Sequence, residues 1–411
     1  MASSLKGDEL FRFVYFFLFL NISLVLGLAL PAEGGWREQI QTLAGDGAVM
    51  AADAEGHSLF ALNQNKPLVP ASIFKIVTSA AALKFFGPAY HFKTEFRINP
   101  EGDLYLVGRG DPYLVSEELA LIAERLKAKG LKNVRNILLD DSYFSPGLVL
   151  HGTSRSLNPY DAYNGAICVN FNTLFVRVDS SNNVSSAEPQ TPLTDFARRI
   201  ALKSGVKGKA RINLAGNPET VSLYAGHLLK AFLIEEGLKV RGHIIRTDKG
   251  SASVPLLYRH RSRHDLAWLV KRLLKYSSNF MANQIFLTMG AERYGSPATV
   301  HKSRRVMSEY LAAIGLPKLH IEEGSGLSRR TRITAAQMIS ALHHFQPYRS
   351  LLQFDEKVWY KTGTLSDVKS VAGYIEQGNG QPLAFVIMLN GKGVTPLARQ
   401  KILTLLKENL N

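Results

Sequence analysis

Three short elements carry residue types suited to acyl transfer, and they follow one another along the chain: Ser72-Ile73-Phe74-Lys75, Ser277-Ser278-Asn279 and Lys361-Thr362-Gly363. A serine hydroxyl is a weak nucleophile and needs a neighbouring base, which a lysine can supply when its amine is desolvated and lies near other cations. Residues three apart on a helix share a face, so Lys75 is expected beside Ser72. A helix N-terminus also favours negative charge at the serine and on an attacked carbonyl oxygen. In the third element, a lysine and a hydroxyl pointing into a groove can hold a carboxylate, while the glycine admits close approach of another backbone.

Taken singly, the first two elements are weak signals. Serine followed three residues later by lysine also occurs at Ser3 and Lys6, Ser204 and Lys207, and Ser366 and Lys369, and Ser-x-Asn also begins at Ser156, Ser180 and Ser181. Context separates them. Ser3 lies in an N-terminal export segment, Ser204 runs into a glycine-rich turn and Ser366 begins a hairpin return. Ser72 alone opens a helix, over 72–86, with Pro70 before it and Gly87-Pro88 after it. Lys-Thr-Gly occurs once, on an expected strand.

The elements that must position these residues read as follows. Stretches 47–53 and 57–62 flank Ala54-Glu55-Gly56 as a hairpin. From about Phe92 to Leu214 the texture turns to short strands, with an amphipathic helix over 117–129 and polar turns, which predicts an inserted α+β domain. Arg109-Gly110-Asp111, between Gly108 and Pro112, reads as a turn rather than an adhesion signal. Helical texture returns over 224–237 and 265–276, the second feeding directly into Ser277. Strands follow over 358–362, 370–376 and 383–389, and Thr395-Pro396 starts a terminal helix. This order predicts an α/β fold of three layers, with helices on both faces of an antiparallel sheet. The expected division is 1–30 as export signal or anchor, 31–93 with 214–411 as the catalytic domain, and 94–213 as the insertion.

With 411 residues, 46% of them hydrophobic and 20% charged, the chain can bury a large core. A net charge of +15 implies affinity for anionic surfaces: nucleic acid, lipid or an anionic cell wall. The apolar stretch 14–30, preceded by Lys6 and Arg12 and followed by small residues, points to export, with cleavage and anchoring both open. The lone Cys168 excludes an internal disulfide and a multi-thiolate metal site, and its apolar surroundings read as a buried small hydrophobe. The histidines are scattered, with His260, His264, His343 and His344 expected at the surface and the basic run 259–264 as a solvated face. No metal or organic cofactor is expected.

The ordered motif set resembles that of penicillin-binding proteins and class A β-lactamases. Within that group the chain resembles the low-molecular-mass class C penicillin-binding proteins, the D-alanyl-D-alanine carboxypeptidase/endopeptidases. Supporting stretches are Val69 to Lys75, Gly110-Asp111-Pro112, Leu139-Asp140-Asp141-Ser142 and Gly324-Ser325-Gly326-Leu327-Ser328-Arg329, and the separation of 205 positions from Ser72 to Ser277 agrees with the family's inserted domains. Two departures stand out: Glu323 replaces the family's usual Asp, and the segment between Arg332 and Lys361 is short.

The resemblance implies a penicillin-binding/β-lactamase-like fold and assigns Ser72 as nucleophile, Lys75 as general base, and the Ser72 and Thr364 backbone N–H groups as oxyanion donors. Ser277 would relay a proton to the leaving amine, Asn279 would hold the substrate amide and the lysine, and Lys361 with Thr362, Gly363 and Thr364 would bind the substrate's carboxylate end. Asp140 or Asp141 would select a stem-peptide amine or simply shape a turn. Peptidoglycan stem peptides are the implied substrate, β-lactams covalent inhibitors, an anionic wall or membrane surface a further partner, and the periplasm or cell envelope the location. Rival readings are a β-lactamase, for which no separate deacylating glutamate can be placed, a catalytically silent wall-binding protein, which would have lost motif residues, and a nucleic-acid binder, which export opposes.

Overall fold

The computed structural model describes residues 35–410 apart from 155, 215–217, 248–250, 317–318 and 379, so the expected export segment at 1–30 lies outside the described residues. Among the described residues, no helix is long and apolar enough to cross a membrane.

The six-stranded sheet is built on strands that run as nearly unbroken apolar stretches, the pattern of a sheet covered on both faces. Val368–Ile375 is buried throughout, and Leu383–Asn390 almost so. Side chains alternate across the pleat. Phe385, Ile387 and Leu389 therefore join Ile40, Ile402 and Leu406 in one core, while Ala384, Val386 and Met388 join the core containing Phe74, Val77 and Met338. Helices Trp36–Ala44 and Pro396–Asn409 thus cover one face, and Phe74–Phe86 and Ala335–Phe345 the other. The six strands are all antiparallel, in the order Gln353–Asp355, Val358–Leu365, Val368–Ile375, Leu383–Asn390, Ala48–Ala52, Ser58–Leu62. This is the expected three-layer architecture. Thr395 caps the terminal helix by accepting from Ala398 N, with Pro396 in its first turn.

The insertion is larger than expected. A five-stranded sheet runs Ile244–Thr247, Ile137–Asp140, Leu104–Val107, Lys93–Ile98, Leu256–Arg261, so its last strand ends at Arg261. The boundary at 213/214 is therefore corrected: helix Pro218–Glu235 and the three later strands Lys239–Val240, Ile244–Thr247 and Leu256–Arg261 belong to the insertion, while a three-stranded sheet of Thr173–Val178, Val184–Ser186 and Gly208–Asn213 forms a smaller unit within it. The reason is that Pro218–Glu235 packs on the strands Ile137–Asp140 and Ile244–Thr247, a long-range partnership that a change from strand-like to helical texture does not reveal.

Within the basic run 259–264, Arg259, Arg261 and Arg263 are exposed as expected, and the surface expectation for His260 is corrected. Residues 259–261 end the outer strand Leu256–Arg261, with His260 buried and its Nε2 2.6 Å from Glu118 Oε2, while Arg259 and Arg263 pair with Glu95 and Glu118. His264 stacks on Trp268 with ring centroids 3.5 Å apart, and half-buried His343 contacts Asp53 O at 3.2 Å. Cys168 is buried as expected, its thiol pushed up to about 12 by burial.

Candidate active site

Ser72 lies in a short 3₁₀ segment, Ala71–Ile73, that continues into the α-helix Phe74–Phe86, so the α-helix itself begins two residues after the expected start at 72. Ala71 carries φ +51°, a left-handed conformation unfavourable for a residue with a Cβ, so the backbone is strained immediately before the serine. The surroundings enforce it. A Cβ on Gly326 would lie 2.0 Å from Ala71 O, and one on Gly363 would lie 2.8 Å from Pro70 O and 2.9 Å from Ser72 N. Only glycines let the 324–328 turn and the strand Val358–Leu365 close on the serine from two sides.

Lys75, one turn on, is fully buried, and its Nζ lies 2.8 Å from each of Ser72 Oγ, Asn279 Oδ1 and Ser325 O. Three contacts match the three donors of an ammonium. They equally suit the neutral amine, which would donate to Asn279 and Ser325 and accept the Ser72 O–H. Burial depresses the Lys75 amine well below the usual lysine range, the nearby Lys361 charge adds to this, and Glu323 opposes it. The Lys361 amine is also buried, and burial followed by Arg399 lowers it to about 7.

The Ser277 element is held by two helix ends. Helix Leu266–Tyr276 starts at Asp265, which accepts from Trp268 N, and stops at Ser277, whose left-handed φ 54°, ψ 36° turns the chain. Ser278 then accepts from Met281 N and caps the next helix, Asn279–Tyr294. Asn279 is thereby the first residue of that helix and faces Lys75. The insertion braces it: Asn279 Nδ2 donates to Tyr160 O at 3.3 Å, and Asn164 Nδ2 donates to Phe280 O at 2.9 Å. Ser277 stands two residues from Asn279 and is not among the three hydrogen-bond partners of Lys75.

Lys361, Thr362, Gly363 and Thr364 lie on Val358–Leu365. Its outer neighbour Gln353–Asp355 pairs only with 358–360, so among the described strands the stretch 361–365 has a free edge beside Ser72. A free edge can accept an extended peptide as an added strand. Lys361 Nζ donates to Thr362 O at 2.7 Å.

Asp140 stands apart from this group. It is buried, accepts from Ser142 N and Oγ through Oδ1, and from Ser251 N and Oγ through Oδ2. Asp141 bonds Arg246 and Ser222. The Asp140 contacts shape the turn after Ile137–Asp140 and occupy both of its oxygens, while Asp141 is tied to residues 222 and 246. Asp53, Glu55 and His57 place their ligand atoms within 4.8 Å of one another at the Ala48–Leu62 hairpin, but Asp53 already accepts from His57 N. Residue-type reasoning did not single out Ser325 O, Glu323, Tyr160 or Asn164 as part of the site. Two of these four contacts are made by backbone carbonyls, which carry no residue-type signal.

The model of the D-Ala-D-Ala carboxypeptidase 3 (S13) family matches residues 38–355 and 343–409. A D-alanyl-D-alanine carboxypeptidase from an Actinomadura species is 28% identical, covering 86% of this chain and 79% of that protein. The D-alanyl-D-alanine carboxypeptidase DacB of Haemophilus influenzae is 23% identical, covering 79% of this chain and 81% of that protein. Among solved structures, penicillin-binding protein 4 from Haemophilus influenzae superposes with TM-score 0.75 at 20% identity, over 91% of this chain and 98% of that one. A penicillin G-acylated predatory endopeptidase from Bdellovibrio bacteriovorus shares the fold with TM-score 0.52 at 15% identity, over 88% and 90% of the two chains. Family match, fold and motif order agree: the chain belongs to the D-Ala-D-Ala carboxypeptidase 3 (S13) family, as a serine-type carboxypeptidase of the low-molecular-mass class C penicillin-binding proteins.

Proposed function

We propose that this enzyme cleaves the bond after a D-alanine carbonyl in peptidoglycan stem peptides or cross-links, through an acyl-enzyme on Ser72, and that penicillins acylate the same serine. The observation that carries the reading is Lys75 Nζ, fully buried and 2.8 Å from Ser72 Oγ. Desolvation makes the neutral amine accessible, so Lys75 takes the Ser72 proton as Oγ bonds to the penultimate D-alanine carbonyl carbon. The carbonyl oxygen becomes an oxyanion, which the Ser72 and Thr364 N–H groups receive. The C–N bond then breaks, and the proton held by Lys75 passes through Ser277 to the leaving amine. Because all three Lys75 partners are already engaged, Ser277 enters the relay when Ser72 gives up its contact. Water hydrolyses the ester and returns the proton to Ser72.

The free edge at 361–365 lays the substrate out as an added strand, and protonated Lys361 with Thr362 holds its terminal carboxylate. Asn279 orients the substrate amide. Asp140 is assigned to the turn, since its oxygens are occupied. The net charge of +15 and the apolar stretch 14–30 support a place at the anionic cell envelope. Incubation with purified muropeptides followed by mass spectrometry tests the reading. Loss of one alanine marks carboxypeptidase action, and separation of cross-linked dimers marks endopeptidase action. Neither product would refute it.

A further inference from the structure

The deprotonating lysine is held partly by a carbonyl, and that carbonyl is held by a buried acid. Glu323 is fully buried, with Oε2 accepting from Ser325 N at 2.7 Å and Ser325 Oγ at 2.6 Å, and Oε1 accepting from Ser328 N at 3.2 Å. The turn it closes is tied down on both sides. Thr78 Oγ1 donates to Gly324 O at 2.7 Å, Gly324 N donates to Asn283 Oδ1 at 2.7 Å, and Gly326 lies against Ala71 O. Ser325 O, thus fixed, takes one hydrogen of Lys75 at 2.8 Å.

Charge gives the acid a second effect. The groups facing Lys75 are Ser72 on its own helical turn, Asn279 at the start of the neighbouring helix, the 323–328 turn, and Lys361 on the strand; of these only Lys361 and Glu323 are charged. Arg399, on the terminal helix, acts on Lys361. Lys75 therefore lies between one buried lysine and one buried carboxylate, and loss of the carboxylate would leave the repulsion from Lys361 unopposed.

We propose that Glu323 is a positioning residue for acylation, which sets the place of Lys75 through the Ser325 carbonyl and supplies the buried negative charge that keeps Lys75 a strong enough base. The inference rests on the Ser72 acyl-enzyme reading. The test is the pH dependence of the acylation rate by a fluorescent penicillin, in the parent, Glu323→Gln and Glu323→Asp enzymes. Removing an opposite charge at close range lowers the pKa of a lysine, so the acidic limb in Glu323→Gln is expected to move down by roughly 1–2 pH units. Glu323→Asp, which keeps the charge, is expected to hold the limb near the parent position while losing rate.

If Glu323→Gln does not fold, the double variant Glu323→Gln with Lys361→Met removes one charge of each sign and carries the comparison against Lys361→Met alone. The same downward displacement is expected there. An unmoved acidic limb, with only a uniform loss of rate, overturns the charge role. A limb that moves as far in Glu323→Asp as in Glu323→Gln also overturns it. Failure of the parent enzyme to form any Ser72 adduct would instead refute the underlying reading.

Discussion

Raising the pH above neutrality should disable substrate capture before it harms the base. Lys361 is buried beside the free edge, and its amine, lowered to about 7, loses its proton in the range where an ordinary lysine stays charged. Its proposed partner is the substrate's terminal carboxylate. Since kcat/KM reports the free enzyme, about one molecule in ten is competent at about pH 8 and about one in a hundred at about pH 9. Lys75 works in the opposite sense, becoming a base as its proton leaves, so the two lysines together give a bell whose alkaline limb belongs to Lys361. The assay compares a thioester substrate ending in a free carboxylate with one ending in a primary amide, across the pH range. The carboxylate substrate should lose roughly tenfold per unit above neutrality, and the amide substrate should lack that limb. Lys361→Arg, whose guanidinium does not titrate here, should also lack it, at a lower overall rate. A carboxylate substrate whose kcat/KM stays flat to about pH 9 would refute the reasoning.

Other substitutions separate chemistry from architecture. Lys75→Ala should slow penicillin acylation by about 10²–10⁴-fold, the usual contribution of a general base, with the circular dichroism spectrum retained. Gly326→Ala combines a φ of +77° with a Cβ 2.0 Å from Ala71 O, so thermal melting should show a loss of at least about 1–3 kcal/mol and labelling should fall with it. Asp140→Asn should cost roughly 1–3 kcal/mol by leaving part of the Ser142 and Ser251 network unpaired. Its ratio of activity on amine-bearing and acetylated stems should equal that of the parent; a changed ratio would restore a recognition role.

The residues that touch Lys75 through their side chains were legible in the sequence, because helical spacing puts Ser72 beside it and the Ser277 element follows a capped helix. The strands of the catalytic layer were legible for the same reason, as apolar runs bounded by turns. What escaped has a physical cause in each case. Helix Asn279–Tyr294 is buried from Phe280 to Ala291, so it has no apolar stripe to reveal it. Helix Trp36–Ala44 buries only Ile40 and Ala44 and follows Gly35 without a side-chain cap. The end of the insertion depends on which strands pair, a non-local choice, and His260 looked solvated because its partner Glu118 is 142 positions away. The family resemblance pointed to the 324–329 stretch and to Glu323 in place of the family's usual Asp, but gave that acid no role in closing the turn onto Lys75.

The central claim is that Ser72 is the residue acylated. Intact-mass spectrometry of the enzyme incubated with a penicillin, followed by peptide mapping, should show one adduct, located on Ser72, and no adduct in Ser72→Ala. An adduct on another residue, or one that survives Ser72→Ala, would contradict the account.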